Sequence, residues 1–247
     1  MNQRFIRLIP CSDHSISFVP TRPVSCIGVC ITLGQFDLLP GISVSMSSQR
    51  REIYVEVQPP PGTVVAPNGF PADPRPKDAP QVFLDAMDIR IKVFCDEQKC
   101  AVEPELDEDD PKSWSWVAYQ QSPMTGEKVP VSTLRIVPPA HPPHPNGFYD
   151  PGEKPYVKLT RVATVSHARG QGLNRFLMNH AFDYLMSQPR LISSEWEGLV
   201  LTHAQVSVEG LYAKLGFVTD DRLGRWDEEG IEHLGMWKRL NIPATSG

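Results

Sequence analysis

The sequence predicts an α/β (α+β) fold, a mixed sheet flanked by helices, in a single domain over residues 50–240. Three observations carry this reading. Stretches such as Glu52–Gln58 alternate polar and apolar residues with the period of a half-buried strand. Two segments, Gln81–Gln98 and Leu173–Leu185, place apolar residues at helical spacing. Arg161–Met178 passes without a break from a β-branched, strand-like run through a short basic turn into an amphipathic helix. The chain has 247 residues and 40% hydrophobic content, enough for a substantial core.

Taken in order, residues 1–49 carry few charges, scattered Ser and Pro, and one apolar patch, Val24–Leu33, too short to span a bilayer. They read as a poorly ordered N-terminal extension, with Met46 as an alternative start. Glu52–Gln58 is the first strand, followed by a Pro-rich insertion at 59–80. The helix Gln81–Gln98 aligns Val82, Ala86, Ile89 and Val93 on one stripe, and an acidic run, Glu103–Asp110, follows it. Ser113–Tyr119 and Pro130–Val137 read as a β-hairpin forming the second and third strands. A second Pro-rich insertion, 138–155, holds His141 and His144, which read as solvent-exposed loop residues. Tyr156–Val165 is the fourth strand and Gly198–Gln205 the fifth. Ser207–Phe217 reads as a helix closing at Gly216, and 241–247 as a tail.

Composition narrows the function classes. Net charge is −5 and no Lys/Arg block is long enough to form a nucleic-acid face. Neither nucleic acid nor membrane is therefore expected as a partner. The acidic balance favours cationic small molecules or basic peptides. Five cysteines, an odd number, show no Cys-x-x-Cys spacing and no histidine pair at zinc-site distance, so no metal is expected. Free thiols point to a reducing compartment, the cytoplasm, with the nucleus left open. Cys95 reads as a buried helical cysteine.

The chemistry centres on the turn before the second helix. A helix start offers free N–H groups and the positive end of the dipole. Gly170 and Gly172 leave the backbone open, and Arg169 adds a positive charge. This is an anion site, with phosphate as the expected anion. The dinucleotide fingerprint needs a third glycine where Arg175 stands, and the Gly-Lys-Ser/Thr phosphate loop is absent.

Arg169-Gly-Gln-Gly172-Leu-Asn174 resembles the pyrophosphate turn of the GNAT N-acetyltransferase superfamily, Arg/Gln-x-x-Gly-x-Gly/Ala, with Asn174 departing at the last position. Three further blocks resemble the superfamily in order. Arg90-Ile-Lys-Val-Phe94-Cys-Asp-Glu97-Gln98 is similar to the first helix of a branch that includes small bacterial acetyltransferases and relatives of glucosamine-phosphate acetyltransferases. Ala204–Phe217 is similar to the segment carrying Tyr-x-Lys-x-Gly-Phe, with Tyr212 on its tyrosine. Glu228–Met236 is similar to the branch's Glu-x-Gly-Ile-x-His-x-x-Met.

The resemblance implies a mixed, mostly antiparallel central sheet splayed at strands 4 and 5, with acetyl-CoA as co-substrate. It implies that Val162, Ala163 and Thr164 hold the pantetheine arm, one N–H there polarising the thioester carbonyl. It places the pyrophosphate on Arg169, Gly170, Gln171, Gly172, Leu173 and Asn174. It makes Tyr212 the general acid for the leaving thiolate. Glu97 is the candidate base, although many relatives pass the proton through water. Glu105, Asp107 and Asp110, with His203 and His233, are candidate acceptor residues. For His203, a packed, hydrogen-bonded core histidine is the competing role, and for the acidic run a solvated surface turn. The implied reaction is acetyl transfer to a primary amine, of a small molecule such as an amino sugar or polyamine. A protein N-acetyltransferase and a non-catalytic acyl-CoA-binding module remain alternatives. The oligomeric state is left open, a homodimer among the options.

Overall fold

A computed structural model of the chain describes residues 52–242, except 67, 68, 72 and 123. The N-terminal extension and the last residues of the tail lie outside the described residues. Eight strands form one sheet: β1 (Ile53–Gln58), β2 (Trp114–Gln121), β3 (Lys128–Val137), β4 (Tyr156–Thr164), β5 (Leu199–Gln205), β6 (Val218–Thr219), β7 (Arg225–Glu228) and β8 (Ile231–Arg239). Their order is β1-β2-β3-β4-β5-β8-β6, with β7 also paired to β8. Every pairing is antiparallel except β4 with β5. The expected mixed, mostly antiparallel sheet is thus present.

Helices cover both faces. Tyr119 of β2 donates a hydrogen bond to Asp85 of α1 (Gln81–Arg90) at 2.7 Å. Trp116, three residues earlier and so on the opposite face, meets the ring of Tyr184 of α2 (Leu173–Ser187) edge-on at 5.6 Å. The apolar stripe of α2 is buried as its spacing predicts, with Leu177, Ala181 and Leu185 fully enclosed.

Three local expectations need correction. The first helix is α-helical only to Arg90, and Ile91–Glu97 continues as π-helix, with Gln98 N–H donating to the Val93 carbonyl. The helix ahead of Gly216 shrinks to α3 (Glu209–Ala213), preceded by a 3₁₀ turn at Val206–Val208. The 138–155 insertion is packed down on the sheet. His144 is buried and 2.8 Å from Glu153 Oε1, while the His141 ring stacks on Tyr156 at 4.5 Å. Burial pushes His141 down to about 4, so it is neutral at physiological pH. The insertion frames an open cavity of about 710 Å³ at the Tyr156 end of β4, opposite the glycine turn.

Candidate functional site: a fork in the sheet

The parallel ladder between β4 and β5 is short. It runs from Tyr156↔Leu199 to Leu159↔Thr202 and stops, while β5 continues along β8 to Gln205. Beyond this point the two central strands diverge into a fork. A β-bulge sharpens it: the register with β3 steps from Arg135↔Thr160 to Thr133↔Ala163. Arg161 and Val162 therefore have no register partner in either neighbouring strand. Arg161 adopts φ +51, costly for a residue with a Cβ. Its guanidinium is anchored by Glu105 and Asp107, each at 3.0 Å. Val162 thus lies at the opening without a register partner across the sheet, and Ala163 and Thr164 pair on the β3 side alone.

The glycine turn closes the open end of β4. Gly170 and Gly172 have φ +76 and +75, left-handed values at which a side chain is strained. This backbone leaves the N–H groups of Gly170–Arg175, which span the turn and the first residues of the 15-residue α2, without acceptors among the described residues. Asn174 is accounted for by its side chain, which turns inward. Its Oδ1 accepts from Ser132 Oγ at 3.2 Å and from the Thr164 hydroxyl, stitching the helix start to β3 and β4. Gln171 Oε1 accepts from Gln120 Nε2 at 2.7 Å. Arg169 Nε donates to the Thr164 carbonyl at 2.9 Å, and its Nη2 pairs with Glu97. Glu97 therefore points to the anion turn.

Tyr212 stands at the apex of the fork. It is buried edge-on to Phe217 at 5.6 Å, with its phenol near the hydroxyl of Thr202, the last β5 residue of the parallel ladder. Burial pushes its phenol up to about 12, against a smaller opposing effect of the nearby Thr202 hydroxyl. The group is a protonated donor at neutral pH.

The other face of the apex carries His203, the first β5 residue past the ladder. Burial, then the charges of Lys158, His144, His233 and His141, push its imidazole down to about 3. Its Nε2 is buried without a hydrogen bond, so the expected hydrogen-bonded core histidine is corrected at that atom. Its Nδ1 lies 3.9 Å from Glu228 Oε1, and the other Glu228 oxygen lies 4.0 Å from His233 Nε2. Trp226 Nε1 donates to Glu228 at 2.6 Å. The His233 Nδ1 is 2.9 Å from the Ile231 carbonyl, which can only accept; this leaves the Nε2 lone pair free in the neutral ring. Glu228 is thus a carboxylate between two imidazoles. Residue-by-residue reading missed it because it stands inside a motif rather than as an isolated acid.

The acidic run takes neither of its expected roles. Glu105 and Asp110 are buried, so they do not wall an open pocket. Arg90 of α1 holds Glu105 at 2.6 Å and Asp110 at 2.7 Å, and Arg135 of β3 holds Asp107 at 2.6 Å and Asp110 at 2.9 Å. Burial alone would raise the Asp110 carboxyl, but Arg135 and Arg90 outweigh it and hold it well below the usual carboxylate range. Asp107 is lowered as well, Arg135 overcoming the effect of burial. These carboxylates are already neutralised. Cys95 is buried and its thiol is pushed up to about 11 by burial first, which fits a packed side chain.

Residues 84–217, more than half the chain, match the family model described as Acetyltransferase (GNAT) family. Among solved structures, the chain is similar to an acyl-CoA N-acyltransferase from Pseudomonas aeruginosa, with 25% identity and a TM-score of 0.50 over 75% of this chain and 99% of that one. A CoA-dependent acyl-homoserine lactone synthase, BjaI, solved with SAM and isopentyl-CoA, aligns at 14% identity and TM-score 0.53 over 76% and 83% of the two chains. Escherichia coli ElaA aligns at 19% identity and TM-score 0.45, over 63% and 88%. Among the described residues no helix is long and apolar enough to cross a membrane, and no group of three or more His, Cys, Asp or Glu side chains is placed to hold a metal ion. The splayed sheet, its glycine turn and the family match converge: the chain belongs to the GNAT acetyltransferase family, acyltransferases that draw on acyl-CoA.

Proposed function

We propose that the protein transfers an acetyl group from acetyl-CoA to a primary amine of a small molecule, by direct attack on the thioester. The observation that carries this reading is the fork, with no register partner for Val162 on one side and Tyr212 beside Thr202 at its apex. The N–H groups of Gly170–Arg175 would receive the pyrophosphate, and the backbone of Val162, Ala163 and Thr164 the pantetheine arm. A free N–H at the bulge would polarise the thioester carbonyl. An alkylamine near pKa ~10.4 is about three units from neutrality at pH 7, so deprotonating it costs roughly 4 kcal/mol. Once neutral, its lone pair attacks the carbonyl carbon, the C–S bond breaks, and Tyr212 donates to the departing sulfur. The ammonium proton leaves on the opposite face, where Glu228 stands between His203 and His233. The packed 138–155 insertion and the β7–β8 hairpin wall that face, which supports a small acceptor.

Gly172→Glu tests the cofactor assignment. A carboxylate in the turn meets the pyrophosphate with like charge, so thermal stabilisation by acetyl-CoA disappears. Gly172→Ala controls for backbone strain at φ +75. It is expected to lower the melting temperature but keep most of the acetyl-CoA shift. A full shift in the Glu variant would move the pyrophosphate elsewhere.

A further inference from the structure

Lys158 of β4 is 8% exposed, yet it makes no hydrogen bond or ion pair among the described residues. The side chain is largely enclosed, while its ammonium keeps contact with solvent and so can meet a ligand that enters from that side. The other buried cations of this face, Arg90 and Arg135, are each held by two carboxylates. Lys158 breaks that rule.

Its position is informative. Lys158 is in register with Leu201, so its side chain shares a face with Leu201 and His203. Strand geometry puts Lys158 about 8 Å from His203, measured backbone to backbone across the two strands. Three acidic side chains from three segments act on it from beyond ion-pair distance: Asp109 of the acidic run, Glu228 of β7 and Glu153 of the insertion. Burial lowers its pKa against their pull, and Lys112 adds to the lowering. The ammonium therefore lies on the His203 face of the sheet, within electrostatic reach of both Glu228 and the insertion. Glu228 is the complementary group. It is half-exposed, meets no Lys or Arg among the described residues, and is aimed by the Trp226 N–H.

We infer that the acceptor is an amine that also carries an anionic group, its ammonium meeting Glu228 between the two imidazoles and its anion meeting Lys158. The His203 face of the fork then offers a carboxylate with no Lys or Arg partner and an ammonium with no Asp or Glu partner within ion-pair distance among the described residues. A ligand with both charges satisfies each, whereas a plain alkylamine leaves the Lys158 ammonium without an anionic partner. The assignment rests on the acyltransferase reading for the identity of the pocket but not for its charge pattern.

The test is therefore run on binding as well as turnover. Titration calorimetry in the presence of CoA compares ω-amino carboxylates from glycine to 6-aminohexanoate, O-phosphoethanolamine, and alkylamines of matched length. The best anion-bearing amine is expected to bind at least tenfold tighter than its matched alkylamine. The carboxylate and phosphate arms distinguish which anion is preferred. Lys158→Gln should bring that ratio to about one, Lys158→Arg should keep it above about three, and Glu228→Gln should weaken both classes while preserving the ratio. Lys158→Met serves if the Gln variant does not fold. A ratio near one in the wild type, or one unchanged on loss of the Lys158 charge, overturns the inference. Binding with the expected ratio but no thiol release from acetyl-CoA would instead remove the transferase reading and leave the acceptor class standing.

Discussion

Two charged regions of this protein look alike in sequence and behave oppositely in the fold. The acidic run and the basic glycine turn are both short, polar and loop-borne. In the acidic run every deciding valence is filled: Asp110 Oδ1 lies 2.7 Å from Arg90 and 2.9 Å from Arg135, and Asp110 Oδ2 accepts the Asp107 N–H at 3.0 Å. In the glycine turn the side chains are tied down and the backbone donors of Gly170–Arg175 are left over. A saturated charge cluster holds structure together, because its Coulomb energy is already used against its own desolvation. A site with spare donors can do the same for a ligand. The contrast separates framework from binding site more sharply than the count of charges does.

The largest effect should come from breaking the framework. Asp110→Ala leaves Arg90 and Arg135 buried with one partner fewer, and removing one member of a buried ionic group costs about 3–5 kcal/mol. Urea denaturation reads this directly, and a loss below about 1 kcal/mol would return Asp110 to the acceptor list. The pH dependence has a definite sign. The carboxyls of Asp110 and Asp107 are lowered in the folded state. Their stabilisation is present above the unfolded value near 3.9 and drains away as pH falls toward the folded values. Wild-type stability should therefore drop steeply below about pH 4, and Asp110→Asn should flatten that limb.

Next in size is the apex of the fork. Tyr212→Phe keeps the ring against Phe217 and removes the hydroxyl near Thr202. If the phenol serves the leaving thiolate, kcat falls by about 10² or more. Acetyl-CoA affinity stays within about twofold, and folding stability changes by only about 1 kcal/mol. A variant that turns over at the wild-type rate would leave Tyr212 as a core residue and favour a framework role for the apex.

Much of this was legible from residues, for a local reason. Strand alternation, the α2 stripe and the glycine turn are set within a dozen residues, and the structure follows them. What escaped depends on partners distant in sequence. The acidic run is neutralised by Arg90, Arg135 and Arg161, which lie on a helix and two strands, and no spacing rule joins them. The bulge at Arg161–Val162 is a register difference between β3 and β4, invisible in either strand alone. The hairpin of β7 and β8 had a readable signal, Glu229-Gly230 between alternating runs, with φ +52 and +82 as a two-residue turn requires. Without that hairpin, Glu228 had no place on the sheet and could not be set beside His203.

The smallest predicted effect probes a contact that joins a proposed catalytic group to the binding turn. Glu97 and Arg169 are paired, with 30% and 48% of their side chains exposed. A pair so open to solvent contributes at most about 1 kcal/mol, so Glu97→Ala should scarcely change the melting temperature. The same removal frees the Arg169 guanidinium, and a pyrophosphate arriving at the turn no longer competes with a carboxylate for it. Acetyl-CoA should then bind severalfold tighter, with kcat altered less than threefold. If Glu97 is instead the base that takes the amine proton, kcat falls by about 10² or more with affinity unchanged. The two outcomes move different constants, so one saturation curve in each substrate decides whether Glu97 belongs to the binding turn or to the chemistry.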